Sequence, residues 1–424
     1  MIAQILSKEN MIQAYNQVRK NKGAAGIDGK SVDDLSAYLR EHWPFIKHQV
    51  ESGSYQPAPI LGVEIPKHNG KTRLLGIPTV GDRVLHQALH QQLSPIFERD
   101  FCRHSYGFRP NRNAHQAVTQ ALENINDGYH NIVDIDLKSF FDEVSHELLM
   151  TLIYRRVKCP RTLKLIRKFL RAPICINGKL VKRRQGVPQG SPLSPLLSNI
   201  VLNELDKELE RRGHRYVRYA DDFSIYLCSK AAARRVGNSI YMFLRDKLRL
   251  PINREKSEIR RPSKFYMLGY GFVPVFRKGS KGKYQLVVDR SALRRLKAKL
   301  KFITRKTIPA SFDERIARLN LVMKGWIHYF RLANMYGKLR EIDVWIRRRL
   351  RRCIWHDWKK PNRKMKNLIR LGISPGMAYA WSRTRKGGWA VACSPILGTT
   401  ITLDRLGRRR YVSMLSYYLK LTRG

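Results

Sequence analysis

In the run "HNIVDIDL" alternation places Val133, Ile135 and Leu137 on one face and Ile132, Asp134 and Asp136 on the other. That is the pattern of a half-buried strand. Ser145 then reads as the cap of a helix. Further along, Ser194 and Pro195 read as N-cap and first residue of a helix that stops at Gly213. The runs "HRYVRY" and "FSIYL" predict two strands flanking "ADD", which puts Asp221 and Asp222 at or beside a hairpin turn. A helix over "AARRVGNSIYMFLRDKL" and the β-like "FYMLGYGF" follow. Upstream, "EIPKHNGKTRLLGIP" reads as two strands joined by a turn at "HNG". The order strand, helix, hairpin, helix, strand predicts an α+β fold with a mixed or antiparallel sheet. From about Ser291 the period becomes helical: Leu293, Leu296, Leu300 and Ile303 form one apolar stripe, and Leu339, Ile342, Ile346, Leu350 and Ile354 another. Arg347, Arg348, Arg349, Arg351 and Arg352 fall mostly outside the second stripe.

Composition changes this picture through charge. The 424 residues carry 82 Lys and Arg against 33 Asp and Glu, a formal net charge of +49, with an ordinary 43% of hydrophobic residues. A folded chain this basic implies a polyanionic partner, nucleic acid ahead of an anionic membrane. The basic residues are spread from Lys8 to Arg423, which suggests a long groove or several contact surfaces. The six cysteines stand singly, without zinc-finger spacing or a disulfide framework, and fit a reducing cytoplasm. Neither a signal peptide nor a membrane span is read in the sequence.

Two adjacent anions in an apolar, aromatic run need a counter-charge. Asp136 offers a third carboxylate on a nearby strand, and three carboxylates suit hard divalent cations such as Mg²⁺. Two such ions can serve phosphoryl transfer. At this point a resemblance appears. "DIDLKSFFD", "PQGSPLSPLLSN" and "YADD", in this order, resemble the palm of reverse transcriptases encoded by group II introns, the intron maturases. "NKGAAGIDG" resembles that family's N-terminal extension, "SYGFRPNRNAHQAV" a fingers signature, and "GWIHYF" its maturase or thumb region.

The resemblance implies a right-hand polymerase: fingers and an antiparallel palm sheet with helices, followed by an α-helical thumb or maturase domain. The expected divisions are 1–80 (N-terminal extension and fingers), 81–290 (fingers and palm), 291–361 (thumb/maturase) and 362–424 (a basic, DNA-binding-like segment). It implies that Asp136, Asp221 and Asp222 hold two Mg²⁺ ions, with Asp134 the rival of Asp136. Phe141 takes the place of a steric gate against the ribonucleotide 2′-hydroxyl, and Gln189 touches the nucleotide sugar. Lys67 and Arg73 clamp the triphosphate, and Lys256 protonates the leaving pyrophosphate. Ser191 stands where the family usually has a second glycine. Asn21, Lys22, Gly23, Arg109, Arg112, Arg347, Arg348 and Arg351 are expected to contact nucleic acid, and Leu268 and Gly269 to form a primer grip.

The implied partners are an RNA template with a DNA or RNA primer, deoxynucleoside triphosphates, group II intron RNA and target DNA, with no membrane. The implied setting is a bacterial cytoplasm, associated with the nucleoid. The Cys pairs and His-Asn-His residues of the family's C-terminal endonuclease are missing after Trp358, so that activity is not expected. Two alternatives remain: a catalytically silent splicing factor, and a polymerase taken over for DNA repair or defence.

Overall fold

The structure is a computed structural model that describes residues 1–66, 72–276 and 282–423. The chain divides into two compact units, Met1–Pro262 and Ser263–Gly424.

The first unit contains β1 (Ile60–Pro66), β2 (Thr72–Ile77), β3 (Asn131–Asp136), β4 (Ile174–Ile176), β5 (Lys179–Val181), β6 (Arg215–Tyr219), β7 (Asp222–Leu227) and β8 (Glu258–Arg260). One four-stranded sheet has the order β2-β1-β4-β5 and is antiparallel except where β1 meets β4. The β1–β2 arms pair from Leu61 opposite Ile77 to Pro66 opposite Thr72. Lys67 and the "HNG" turn lie outside the described residues. The other sheet, β6-β7-β3-β8, is wholly antiparallel.

Register sorts this second sheet into two chemically distinct faces. Ile135 lies opposite Phe223 and Val133 opposite Ile225, while Arg218 and Tyr216 of β6 face the same two β7 residues. Directly opposed residues share a face, so Val133, Ile135, Phe223, Ile225, Tyr216 and Arg218 lie together. The five apolar members of that set belong to the main core with Leu197, Val201 and Leu205 of the helix Ser194–Arg211 and Val236 and Ile240 of the helix Lys230–Asp246. Each fully buried side chain of this kind stabilises the unit by about 1.5–3 kcal/mol. The other face carries Asp134, Asp136 and Asp222.

Ser145 caps the helix His146–Tyr154 by accepting from the Leu148 amide at 3.3 Å. Ser194 differs from expectation: it is the first helical residue, with Leu193 at the cap. Its hydroxyl donates instead to the Pro188 carbonyl at 2.7 Å and ties the helix to the loop before it.

The second unit contains β9 (Tyr266–Met267), β10 (Tyr270–Pro274) and β11 (Tyr284–Val288), in the order β11-β10-β9, then a series of helices beginning with Arg290–Ile303, Phe312–Phe330 and Tyr336–Asp357. The two predicted stripes are buried along these helices, Leu293, Ile303 and Ile354 partly. The division at 262/263 precedes the expected 290/291 because this small sheet packs on the helices that follow it. The Tyr270 ring lies 5.2 Å from Phe330, its hydroxyl donates to the Tyr329 carbonyl, and Asn334 donates to the Gln285 side chain at 3.0 Å. The segment after Pro361 is more regular than the sequence suggests, forming short helices up to Met414–Arg423. Buried Asp343 anchors the last of them by accepting from Ser413 Oγ (2.6 Å), the Met414 and Leu415 amides (both 2.9 Å) and Tyr411 Oη (3.1 Å).

Candidate active site and nucleic-acid interface

The β3–β7 register sets Asp136 directly across from Asp222. Asp221 occupies the β6–β7 turn, one residue away. Asp136 is braced by the loop that follows the helix Lys230–Asp246. Its amide donates to Ser257 Oγ (3.1 Å), its carbonyl accepts from the Asn253 amide (2.8 Å), and its carboxylate accepts from Asn253 Nδ2 (3.0 Å) and pairs with Lys256 Nζ (3.3 Å). Asp134 shares the face but has other partners: Arg260 Nε lies 3.1 Å away, and Glu258 sits opposite. Burial, then Asp136 and Glu258 against the opposing pull of Arg260, pushes the Asp134 pKa up to about 6. Asp222 is exposed as a residue, yet the protein crowded around its carboxyl desolvates it. That desolvation, followed by Asp134, Asp221 and Asp136, raises its pKa to about 7. Among the described residues no three His, Cys, Asp or Glu side chains already form a metal cage.

The turn that carries Asp221 is held from the opposite face of the sheet, by residues that the sequence pattern did not single out. Arg218 is fully buried. Its guanidinium grips the equally buried Asp206 carboxylate through Nε (2.8 and 3.0 Å) and Nη2 (2.5 Å), while Nη1 donates to Asn199 Oδ1 and to the Ala220 carbonyl, both at 2.9 Å. Asn199 in turn donates to the Gly107 carbonyl at 2.9 Å. Gly107 packs so closely on the turn that a Cβ there would lie 2.3 Å from the Ala220 nitrogen. Ala220 itself is left-handed, with φ of 57°. Thus the fingers signature "SYGF" and the helix Ser194–Arg211 jointly fix the turn. The available signal was a charge at an inward-facing strand position, between Val217 and Tyr219, which demands a buried partner.

The "PQGS" loop comes up against β2. The Gly76 amide donates to the Gln189 carbonyl at 2.9 Å, and Arg73 Nε donates to Gln189 Oε1. Arg73 and Gln189 are therefore neighbours. Gly190 has φ of 129°, and a Cβ there would meet the Gly76 oxygen at 2.7 Å, so glycine is required on both counts. Ser191 is buried and contacts His86 Nδ1 at 2.9 Å, which accounts for a polar side chain at this position. Phe141 is buried against Phe140, ring centres 5.5 Å apart, and its carbonyl accepts from the Val187 amide at 2.7 Å.

Several basic residues expected at a nucleic-acid surface are committed internally. Arg109 is buried, donating to Glu98 (2.7 and 2.9 Å) and to the Cys102 and Ser105 carbonyls (2.6 and 2.9 Å). Arg351 donates to the Ile401 carbonyl (2.9 and 3.0 Å) and the Gly398 carbonyl (3.2 Å), tying down the segment after Pro395. Arg349 is likewise buried, on Thr304 and the Lys301 carbonyl. These guanidiniums are committed to internal carbonyls and, for Arg109, to the Glu98 carboxylate, so Arg109 and Arg351 brace the fold around them.

Arg348 is exposed, and Arg347 and Arg112 are half-buried. Asn21 and Lys22 end the helix Lys8–Asn21 in an exposed turn, Lys22 with φ of 48°. Gly23 leaves room for Arg83, whose Nη2 donates to the Ala24 carbonyl. Leu268 and Gly269 form the β9–β10 turn with φ of 52° and 82°, and the Leu268 carbonyl accepts from Tyr329 Oη at 2.9 Å.

Comparison with known proteins agrees with this geometry. Residues 65–272 match the family model described as reverse transcriptase (RNA-dependent DNA polymerase), and residues 293–372 match the maturase-specific domain of group II introns. Protein YkfC of Escherichia coli (strain K12) is 33% identical over 295 residues, which are 60% of this chain and 77% of YkfC. The group II intron-encoded protein LtrA of Lactococcus lactis subsp. cremoris is 30% identical over 325 residues, 61% of this chain and 54% of LtrA. The retron Mx65 reverse transcriptase of Myxococcus xanthus is 29% identical over 208 residues, 46% of this chain and 47% of its own length. The chain thus spans about three quarters of the first relative and about half of the other two. No described helix is long and apolar enough to cross a membrane.

Proposed function

The chain belongs to the reverse transcriptases that carry a group II intron maturase-specific domain, and from that premise we propose that it copies RNA into DNA at the Asp136–Asp221–Asp222 cluster and binds intron RNA to assist splicing and mobility. The observation that carries the reading is the register of β3 on β7, which opposes Asp136 and Asp222 beside the turn bearing Asp221. The side chains fit divalent cations: all are oxygen donors, and burial followed by the neighbouring carboxylates raises the Asp222 pKa, a strain that bound positive charge would relieve. Mg²⁺ bound by Asp136, Asp221 and Asp222 supplies charge neutralisation for the attacking hydroxyl and the leaving pyrophosphate.

The remaining roles are those the family resemblance implies, and for the described residues their placement supports them. Lys256, paired with Asp136, is a proton donor to the leaving group once Asp136 has another counter-charge. Arg73 and Gln189, hydrogen-bonded to each other, give a guanidinium for phosphate and an amide for the sugar. Phe141, braced on the Val187 amide, is the steric gate. Lys67 joins Arg73 as the second clamp residue. Lys22, Arg112, Arg347 and Arg348 supply phosphate contacts, with Asn21 and Gly23 in the same N-terminal turn as Lys22, and the Leu268–Gly269 turn holds the primer. The ligands are an RNA template with its primer, deoxynucleoside triphosphates, intron RNA and target DNA, in a bacterial cytoplasm.

The test is primer extension on an RNA template with deoxynucleotides and Mg²⁺, comparing wild type with Asp221→Ala and Asp222→Asn. Extension by the wild type alone is the expected result. Tight RNA binding without extension under any metal overturns the polymerase reading in favour of a silent splicing factor.

A further inference from the structure

A cleft of about 420 Å³ opens in the first unit, lined by Arg103, His104, Tyr106, Arg112, Asn124 and Arg215, among others. It lies at the Arg215 end of β6. With about 3.3 Å of rise per residue, this is roughly 13 Å along the strand from Tyr219, where the catalytic turn begins. The phosphoryl-transfer chemistry does not use it, although Arg112 is one of the residues assigned above to phosphate contacts.

Its charged lining is wholly basic: Arg103, Arg112 and Arg215. No ion pair joins Arg103 or Arg112 to a carboxylate among the described residues, whereas Arg215 pairs with Asp127 at 2.5 Å. Arg112 lies over the Tyr106 ring, 5.5 Å from its centre. Asn124 is only 3% exposed, and its Nδ2 has no hydrogen-bond partner. His104 Nε2 accepts from Arg103 Nε at 3.1 Å, which leaves the proton of the neutral ring on Nδ1, and Nδ1 is also buried without a partner. Burial and the adjacent Arg103 pull the His104 pKa down, which keeps the ring neutral. An unpaired buried donor is costly. Two of them beside two unpaired guanidiniums describe a site shaped for an anion with several acceptor oxygens.

We propose that this cleft binds a phosphate group, held by Arg103 and Arg112 with the Asn124 amide and the His104 Nδ1 proton completing its coordination. Arg is suited to this because its planar fork matches phosphate oxygens. The source is a phosphodiester of bound RNA upstream or downstream of the reacting nucleotide, and that assignment rests on the polymerase reading. A free phosphate or mononucleotide shares the chemistry and is separated from RNA by the second arm of the test.

The experiment compares the wild type with Arg103→Gln/Arg112→Gln and with a control, Arg161→Gln/Arg167→Gln, which removes two exposed charges elsewhere on the same unit. In the first arm, affinity for single-stranded RNA is measured across salt concentrations. The cleft variant should bind about fivefold or more weakly, and its log–log salt slope should fall by about 0.7 for each phosphate it no longer neutralises, beyond any change in the control. In the second arm, inorganic phosphate is titrated at constant ionic strength and protection of residues 101–124 is read by hydrogen exchange. Protection in the wild type but not in the cleft variant, with unchanged RNA binding, assigns the site to free phosphate or nucleotide.

Asn124→Leu separates binding from folding. It replaces an unpaired amide with an apolar group of similar shape, so it should weaken binding without lowering stability. A cleft variant that matches the control in both arms overturns the proposal. Primer extension by the same wild-type preparation shows independently whether the polymerase reading stands.

Discussion

The buried Arg218 offers a test in which stability and activity should separate. Arg218 and Asp206 have fully buried side chains, and one guanidinium serves Asp206, Asn199 and the Ala220 carbonyl. Replacing Arg218 by Met leaves the Asp206 charge in an apolar site, which costs about 3–5 kcal/mol. Burial already raises the Asp206 pKa, and Arg218 is the main opposing influence, so the stranded carboxyl takes a proton. The double replacement Arg218→Met/Asp206→Leu removes both charges, a change that is often neutral or better. What then persists is the absence of donors to the Ala220 carbonyl and Asn199 Oδ1, about 1–3 kcal/mol for each group left unsatisfied. The double variant should therefore recover part of the forfeited stability.

Activity should not recover with it, because the bond from Arg218 to Ala220 positions the turn that carries Asp221. Misplacing a reacting group by about 1 Å can cost about 10²-fold. Stability is read locally, from hydrogen exchange of the β6–β7 segment, and activity from single-turnover primer extension by the folded fraction. If the double variant regains the wild-type rate along with its stability, Arg218 is a core residue and the positioning argument fails. If Arg218→Met costs under about 1 kcal/mol, the buried-charge argument fails as well.

Three further predictions rest on separate contacts. Asp136→Asn should abolish extension whereas Asp134→Asn should keep at least about a tenth of it, a difference of about 1.4 kcal/mol or more, because Asp134 pairs with Arg260 while Asp136 faces Asp222; equal losses would mean that the two carboxylates share the role. Gly107→Ala should lower the single-turnover rate by about 10²-fold with the RNA dissociation constant unchanged, since its Cβ would meet the Ala220 backbone at 2.3 Å; an unaffected rate would show that the turn tolerates the shift. His86 is fully buried against Phe169, ring centres 4.1 Å apart, and burial followed by Arg83 lowers its pKa to about 3. The unfolded chain binds this proton below about 6.5 and the folded chain does not, so stability falls as pH drops through that window, by about 2 kcal/mol between pH 7 and pH 5 from this residue. Urea titrations of wild type and His86→Gln at both pH values measure it, and equal pH dependence in the two proteins would refute it.

The elements that carry chemistry were largely readable because two signals coincide in them. In β3, alternation sets both the buried face and the face on which Asp134 and Asp136 project, and the β6–β7 hairpin is punctuated by charges that could not continue a core strand. Ser194 misled because a Ser-Pro pair before an apolar run is a helix-start pattern, whereas its hydroxyl is drawn off by the Pro188 carbonyl, a contact that local sequence does not encode. The small sheet β9–β11 belongs with the helices after it for a similar reason: Tyr270 and Gln285 are matched to Tyr329 and Asn334, some fifty to sixty residues away.

The arginines show the limit of reading charge as function. In a chain with 82 basic residues, a polyanionic partner explains the excess but says nothing of any single guanidinium. Arg109, Arg349 and Arg351 each sit among loop or helix-end carbonyls, and five fixed donors on one planar group bond several of them at once. Arg218 does the same for one carbonyl and a carboxylate beneath the turn that carries Asp221. Arg103 and Arg112 instead line a cleft beside two buried nitrogens, Asn124 Nδ2 and His104 Nδ1, that have no partner. The distinction therefore lies in local hydrogen-bond accounting: an arginine that completes its own surroundings is architecture, and one that leaves neighbouring donors unsatisfied marks where an anion belongs.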